Sequence, residues 1–246
     1  MTKLSVNVNK VATLRNTRTL EIPSIVRLSR IALEAGAHGI TVHPRPDQRH
    51  IRPPDVVELA SLLAEFPAAE YNIEGNPFHG LFEHCERVSP QQATLVPDAR
   101  EASTSNHGWN LLELDAATRA ALARSVSELQ ALGARVSLFL DPVVEMMLIA
   151  RELGADRVEL YTEPYAAAAA AGRSAESLAV YARAAAAARA AGLGVNAGHD
   201  LSLQNLAAFV GGTGPIDEVS IGHALIADAL ELGMAETVRR YLAECG

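Results

Sequence analysis

The segment ARELGADRVELY (150–161) shows how this chain folds. It contains the end of a helix, a glycine, a short link and an apolar strand. Glycine suits the left-handed backbone position that commonly ends a helix, and the short β-branched run is typical of a strand buried on both faces. The pattern recurs in ALEAGAHGITVH (32–43), QALGARVSLFLD (130–141) and RAAGLGVNAGH (189–199). Strands that alternate with helices in this way predict βα units with parallel strands and right-handed crossovers.

The number of units favours a closed barrel. Eight strands are predicted, near residues 4–8, 39–43, 70–74, 92–96, 135–140, 157–161, 194–198 and 218–222. Helices are predicted between them, near residues 23–35, 54–65, 78–87, 115–132, 143–152, 174–191, 202–209 and 224–243. Eight βα units in about 250 residues match a (β/α)8 TIM barrel. The competing α/β fold, an open doubly wound sheet, more typically has about six strands and a Gly-x-Gly-x-x-Gly turn that this chain lacks.

Two segments are longer than a minimal barrel needs. They cover residues 98–114 and 162–175, and we expect them to serve as lids or subunit contacts. We therefore predict a single domain over residues 1–246, a (β/α)8 barrel with additional helices.

The composition excludes several classes of protein. The chain is 49% apolar and 20% charged, which is typical of a globular domain, and no apolar run approaches the roughly 20 residues of a membrane helix. Cys85 and Cys245 match no metal or redox spacing, which favours a reducing cytoplasm. The net charge of −8 argues against a nucleic-acid surface. A cationic cluster in such a chain is expected to bind a small anion.

Cationic and glycine-rich motifs follow several predicted strands, at the end of the barrel where chemistry is found. NAGHD (196–200) and SIGHA (220–224) each place Gly-His at a strand-to-helix turn, where glycine admits a ligand and the helix offers free N–H groups to a phosphate. Arg18, Arg45 and His50 can bind a second anion through charge-assisted hydrogen bonds. The sequence therefore predicts two phosphate sites at one end of the barrel.

A carboxylate and two imidazoles are predicted between these phosphate sites. Glu74, His43 and His199 have the chemistry for several proton transfers on carbon and oxygen. The two histidines also have structural interpretations, because His43 can be a core histidine and His199 can be a helix-start residue. Glu159 lies inside an apolar strand and faces either the barrel interior or a partner.

Other functions compete with acid–base catalysis. Zinc hydrolase barrels open with two histidines on the first strand, whereas this chain has VNVN (6–9), so a metal site is disfavoured. Lys10 can be the amine of a Schiff-base aldolase or a clamp for phosphate, and a phosphosugar isomerase is a further possibility. A non-catalytic sensor of phosphorylated ligands is the alternative from outside enzymology.

The chain resembles the pyridoxine 5′-phosphate synthase family over nearly its full length. The resemblance is carried by ordered motifs, namely VNVNKVATLRNTR (6–18), GITVHPRPDQRHI (39–51), YNIEGNP (71–77), TLVPDAREASTSNHGW (94–109), VSLFLDP (136–142), VELYTEPYA (158–166), GVNAGHDL (194–201) and EVSIGHALI (218–226). It implies a cytoplasmic TIM-barrel enzyme that assembles as a homo-octamer. It also implies a transferase-type condensation of 1-deoxy-D-xylulose 5-phosphate with 3-amino-2-oxopropyl phosphate to pyridoxine 5′-phosphate, phosphate and water. No metal or organic cofactor is implied.

The resemblance also implies roles for individual residues. His43 and Glu74 match the proton acceptors, and His199 matches the proton donor. The aminooxopropyl phosphate is held at positions that match Asn7, Arg18, Asp200, Gly222 and His223. The deoxyxylulose phosphate is held at positions that match Asn9, Lys10, Arg45, His50 and Ser103.

Four positions depart from the family pattern. Many members carry Asp-His where this chain has Asn9-Lys10, a glycine where it has Asp200, and a glycine where it has Thr19. A carboxylate beside a phosphate is unfavourable unless it points away or caps a helix. We therefore expect substrate contacts at Lys10 and Asp200 to differ from those of the family.

Overall fold

The computed structural model describes residues 1–99 and 105–246 as a closed barrel of parallel strands. The strands follow chain order around the barrel, and β1 closes it by pairing with β8, with Lys3 opposite Glu218. The predicted (β/α)8 fold is confirmed. The strands are β1 (Lys3–Asn7), β2 (Gly39–Val42), β3 (Glu70–Gly75), β4 (Gln92–Leu95), β5 (Arg135–Leu140), β6 (Arg157–Tyr161), β7 (Gly194–Gly198) and β8 (Glu218–Ile221).

Helices surround the strands of the barrel. Within the described ranges they are α1 (Asn9–Asn16), α2 (Ile25–Glu34), α3 (Pro53–Leu63), α4 (Leu81–Val88), α5 (Ala116–Ala131), α6 (Val144–Glu152), α7 (Glu163–Ala170), α8 (Ser174–Ala190), α9 (Leu206–Thr213), α10 (His223–Leu232) and α11 (Met234–Glu244). None of them combines the length and apolar character needed to cross a lipid bilayer.

The helices depart from the sequence prediction in four places. α1 follows β1 directly where no helix was predicted, and α7 occupies part of the long segment 162–175. α9 begins at Leu206 rather than at 202. The predicted helix 224–243 is two helices, α10 and α11, which meet at Gly233 with φ of 79°. The predicted lid at 98–114 includes residues 100–104, which lie outside the described residues.

The apolar core lies between the strands and the helices. The glycine of each repeated helix–strand segment has a positive φ, between 79° and 105°, so it ends a helix in the left-handed conformation as predicted. Buried leucine, isoleucine and valine side chains from strands and helices then form one continuous cluster. The framework that carries the strand ends is therefore set by ordinary apolar packing.

The interior of the barrel is polar. Gln92 on β4 donates to Glu218 on β8 (3.0 Å) and accepts from Asn196 on β7 (3.2 Å). Because these strands are not neighbours in the sheet, the hydrogen bonds cross the inside of the barrel. A column of polar side chains thus extends from the N-terminal ends of the strands toward the C-terminal ends.

Candidate active site

A cavity of about 490 Å³ opens at the C-terminal ends of the strands. It brings together eleven of the thirteen predicted site residues: Asn7, Asn9, Lys10, His43, Arg45, His50, Glu74, His199, Asp200, Gly222 and His223. Arg18 is exposed beyond the end of α1 and does not line the cavity. Ser103 lies outside the described residues.

Glu74 reaches the cavity from the end of β3 and has few polar partners. Its Oε2 is 3.5 Å from Asn7 Nδ2 and 3.7 Å from His43 Nδ1, both long for a hydrogen bond. Burial raises the pKa of Glu74 to about 7, although the nearby His199 opposes the shift. A carboxyl group with this pKa can both accept and release a proton near neutral pH.

His43 follows β2 and is buried beside Glu74. Its backbone N–H donates to Asn9 Oδ1 (2.9 Å), which fixes the turn that leaves the strand. Burial lowers the pKa of His43 well below its usual value, and the positive charge of Arg45 lowers it further. The imidazole is therefore neutral at physiological pH and is free to accept a proton.

Glu159 on β6 is not among the predicted site residues, but it lines the cavity. It is buried, and its Oε2 has no hydrogen-bond partner among the described residues. Burial raises the pKa of Glu159 well above its usual value, and the charge of Glu74 adds to this effect. Burial therefore favours the protonated form of Glu159 at the wall of the cavity. A charged residue inside an apolar strand is unusual and indicates a special role for Glu159. The sequence does not show which face of the strand carries its side chain.

Arg45 and His50 follow β2 on one side of the cavity. Arg45 is paired with Asp98, whose carboxylate also accepts from Ser105 Oγ (2.6 Å). Burial lowers the pKa of His50 to about 4, so its ring is neutral. His50 Nδ1 accepts from the N–H of Ile51 (2.9 Å), which leaves Nε2–H as a donor for an anion.

An ion pair outside the predicted set holds the loop that carries His50. Arg15 of α1 donates to both carboxylate oxygens of Asp55 on α3, at 2.5 and 2.9 Å. The guanidinium of Arg15 and the amide of Asn16 also donate to the carbonyl of His50, at 3.3 and 2.8 Å. These contacts fix the loop against α1. No sequence pattern links Arg15 to an aspartate 40 residues later.

The two Gly-His motifs differ in structure. Gly222 precedes α10, which begins at His223, so the predicted strand-to-helix turn is present there. His199 is followed by a turn, and α9 begins only at Leu206, so the alternative interpretation of this histidine as a helix-start residue is wrong. Asp200 does not cap α9 either, because the N-cap residue is Asn205, and the carboxylate of Asp200 lies 3.0 Å from His199 Nδ1. Of the two motifs, the second therefore has the helix start that the predicted phosphate site requires.

No group of three or more His, Cys, Asp and Glu side chains in residues 1–99 and 105–246 has the arrangement of a metal site. The polar side chains that line the cavity are lysine, arginine, histidine, asparagine, serine and threonine together with the carboxyl groups of Glu74, Glu159 and Asp200.

Comparison with known proteins identifies the family. Residues 4–246 match the family described as pyridoxal phosphate biosynthesis protein PdxJ. The chain belongs to this family. A pyridoxine 5′-phosphate synthase of Albidiferax ferrireducens is 52% identical over 98% of this chain and 96% of that protein. A pyridoxine 5′-phosphate synthase of Xanthomonas campestris pv. campestris is 53% identical over 98% of this chain and 95% of that protein.

Membership in the PdxJ family confirms the resemblance found in the sequence. More distant solved structures share the barrel alone. A tryptophan synthase structure from M. tuberculosis superposes with a TM-score of 0.66 at 11% identity, covering 100% of this chain and 94% of the other. At this level of identity the likeness concerns the fold and carries no information about substrates.

Proposed function

We propose that this chain is a pyridoxine 5′-phosphate synthase. In this proposal it condenses 1-deoxy-D-xylulose 5-phosphate with 3-amino-2-oxopropyl phosphate, and it releases pyridoxine 5′-phosphate, phosphate and water. Support comes from membership in the PdxJ family over residues 4–246 and from relatives of that name at 52–53% identity. The cavity, with cationic groups around a buried acid–base cluster, is suited to two phosphorylated substrates.

The observation that carries the proposal is the pairing of Glu74 with His43 inside the cavity. One is a carboxyl group whose pKa is raised to about 7, and the other is an imidazole kept neutral by burial. Their atoms are 3.7 Å apart, so both can reach one small molecule. Two bases of this kind can remove protons from carbon during ring formation, without either group carrying a permanent charge.

His199 is the proton donor in this proposal. It follows β7, which lies opposite β3 in the eight-stranded barrel, so a substrate in the cavity lies between His199 and Glu74. Protons taken by Glu74 and His43 leave carbon, and a proton from His199 reaches the oxygen that departs as water. Glu159 also lines the cavity, and burial and the charge of Glu74 favour its protonated form, so in this proposal it is a further acid for the cycle.

The substrates are held at the two sides of the cavity. We assign the aminooxopropyl phosphate to the start of α10, where Gly222 and His223 lie beside Asn7. We assign the deoxyxylulose phosphate to Arg45 and His50 on one side. On the other side it contacts the first two residues of α1, through the amide of Asn9 and the ammonium group of Lys10. Arg18 and Ser103 remain predicted ligands, and the mechanism needs no metal or organic cofactor.

The cellular context is also part of the proposal. We propose a cytoplasmic homo-octamer, as the family resemblance implies. Apolar side chains exposed on the segment after α1, Leu20 and Ile22, support contacts between subunits. Light scattering coupled to size exclusion measures the mass directly, and a monomer would contradict the octamer.

The direct test is to combine both substrates with the purified protein and to assay for pyridoxine 5′-phosphate. The wild type is expected to form it, and His43→Ala is expected to fold normally and to lose at least about 100-fold in turnover. An aldolase would instead give a lysine adduct on borohydride treatment with a ketose phosphate, which Lys10→Met abolishes. Binding of both phosphates without any pyridine product would contradict the proposed synthase.

A further inference from the structure

The backbone after β7 has an unusual conformation at two adjacent residues. His199 and Asp200 have φ values of 65° and 59°, and neither is a glycine. Residues with a β-carbon seldom adopt this left-handed conformation, and two in succession persist only where the surroundings hold them. Thr162 Oγ1 donates to the carbonyl of His199 (2.6 Å), and Asn205 Nδ2 donates to the carbonyl of Asp200 (3.3 Å). Both carbonyls are thereby fixed.

This backbone brings a carboxylate onto the imidazole. Asp200 Oδ2 lies 3.0 Å from His199 Nδ1, within hydrogen-bond distance. The ring of Tyr161 meets the imidazole edge-on, with centroids 5.5 Å apart and an interplanar angle of 75°. Since Nδ1 is engaged by Asp200, Nε2 is the ring nitrogen that remains for a molecule in the cavity.

We propose that Asp200 is a positioning residue for His199, and that it does not bind the substrate phosphate. Its carboxylate keeps one proton on Nδ1 and fixes the ring plane, so that Nε2 carries the second proton of the imidazolium and gives that proton to the substrate. This inference deepens the proposed function, because it rests on His199 being the proton donor.

The charges around Asp200 explain how a carboxylate can occupy this part of the cavity. The hydrogen bond from His199 is the main reason why the pKa of Asp200 is below its usual value, and His223 and Lys10 lower it further. Lys10 comes from α1 and His223 from α10, so groups that favour the ionised carboxylate approach from two elements. The carboxylate is thus ionised, and its charge is balanced within the cavity.

Lys10 and Asp200 are also two of the positions at which this chain departs from the family pattern. Both line the same cavity, and Lys10 is one of the charges that favour the ionised form of Asp200. An added carboxylate and an added ammonium therefore offset each other. Glu74 also interacts with His199 by charge, but no hydrogen bond joins Glu74 to Asp200 among the described residues.

Steady-state kinetics separates positioning from phosphate binding. Asp200→Gly suits the left-handed backbone, so the variant should fold while losing the carboxylate. We expect kcat to fall about tenfold, a part of the 10²- to 10⁴-fold that a positioned proton transfer contributes, with KM for both substrates nearly unchanged. Asp200→Asn, whose amide oxygen can still accept from Nδ1–H, should retain more turnover than Asp200→Gly.

Glu163→Gln is the matched control. It removes a carboxylate after β6 that, like Asp200, acts on Tyr161 by charge, but Glu163 does not line the cavity. We expect this variant to keep wild-type kcat and KM. If Asp200→Gly changes KM for 3-amino-2-oxopropyl phosphate while kcat is unaltered, Asp200 acts on the phosphate and the inference is overturned. Unchanged kinetics in Asp200→Gly would overturn it as well.

Nitrogen-15 NMR of labelled histidine provides a test that does not depend on activity. The His199 signals, identified by their loss in His199→Gln, should report a protonated Nδ1 in the wild type and a shift toward Nε2–H in Asp200→Gly. An unchanged tautomer would refute the positioning role even if the protein made no pyridoxine 5′-phosphate. Conversely, the expected change of tautomer in a protein without synthase activity would overturn only the proposed function.

Discussion

Strand β3 carries one glutamate at each end of the barrel. The two side chains are similarly buried, but they differ in their polar partners and in the direction in which their pKa values are shifted. Glu70 and Glu74 lie four residues apart, so they face the same side of the strand. Their side chains are 17% and 12% exposed. Lys3 and Arg135 donate to Glu70, whereas the polar contacts of Glu74 with the described residues are two long ones, at 3.5 and 3.7 Å.

The partners decide the protonation state of each carboxyl group. Burial raises the pKa of Glu70, but the hydrogen bonds from Lys3 and Arg135 outweigh it, and the pKa lies below its usual value. At Glu74 burial dominates, and the pKa rises to about 7. The same residue type on the same strand is thus a fixed anion at one end and a titrating acid at the other.

The two glutamates show how a barrel places residues that stabilise the fold and residues that react with substrate at opposite ends of its strands. At the N-terminal ends of the strands, complementary charges satisfy each other and hold the strands in place. At the C-terminal ends, Glu74 is buried without such a cationic partner among the described residues, which is unfavourable in the absence of substrate and useful in its presence. Glu159, with an oxygen that has no hydrogen-bond partner in the part of the chain that the structure describes, belongs to the same kind.

Glu74→Gln is expected to have the largest effect. Glutamine preserves the volume and the contact with Asn7 but cannot accept a proton. Turnover should fall at least about 100-fold, in line with the contribution of a general base, while the circular dichroism spectrum stays unchanged. Turnover near that of the wild type would remove Glu74 from the mechanism.

The same substitution should also stabilise the protein above neutral pH. The pKa of Glu74 is about 7 in the folded chain, against an ordinary value of 4.5. The raised pKa means that the folded chain binds this proton more tightly than the unfolded chain does. The stabilisation that comes from proton binding at Glu74 is therefore complete below about pH 4.5 and is lost as the pH rises through about 7. We expect Glu74→Gln to gain about 3 kcal/mol in free energy of unfolding at pH 8.5 and almost none at pH 4.5.

Urea unfolding of both proteins at the two pH values, at one protein concentration, measures this difference. A gain of equal size at pH 4.5 and pH 8.5 would indicate improved packing rather than titration of Glu74.

Sequence patterns were sufficient for the strands and for most of the cavity. The strands are short, apolar runs after a helix-ending glycine, and a barrel brings their C-terminal ends together whatever the details of packing. His43, Glu74 and His199 could therefore be placed near one another without coordinates. The helix α1 could not be predicted, because asparagine and threonine are weak helix formers and it is stabilised by tertiary burial of Val11 and Ala12.

Contacts between distant segments were also beyond sequence reasoning. The pair of Arg15 with Asp55 joins residues with no shared motif, and the direction of Glu159 depends on which face of β6 points inward. The positive φ values at His199 and Asp200 depend on hydrogen bonds from Thr162 and Asn205, which no local pattern specifies. Such features depend on tertiary structure, so the chemistry of the site was predictable in type and not in detail.

Glu70→Gln is the counterpart of the first substitution at the other end of the strand. It removes the carboxylate that pairs with Lys3 and Arg135, whose side chains are 43% and 27% exposed. Since water reaches both cations, the expected loss in free energy of unfolding is about 1 kcal/mol. Turnover should stay within about twofold of the wild type, since Glu70 does not line the cavity. A large loss of turnover in enzyme that is still folded would show that the two ends are coupled.

Gly222→Ala is expected to have the smallest effect and tests how closely the C-terminal end is fitted. A β-carbon at this position would lie 3.2 Å from the side chain of Asn7, which can yield by a few tenths of an ångström. That shift moves Asn7 relative to Glu74 and narrows the approach to the first N–H groups of α10. We expect KM for the aminooxopropyl phosphate to rise about threefold, or about 0.6 kcal/mol, with kcat and stability nearly unchanged.

Gly211→Ala on α9 supplies the control for that measurement, because a β-carbon there meets no atom within 4 Å. It should leave both kinetic constants unchanged and should stabilise the helix slightly. If Gly222→Ala instead lowers stability as Glu70→Gln does, then the start of α10 supports the barrel rather than the substrate. In that case the separation seen on β3, with stabilising groups at the N-terminal end and reactive groups at the C-terminal end, would not hold for β8.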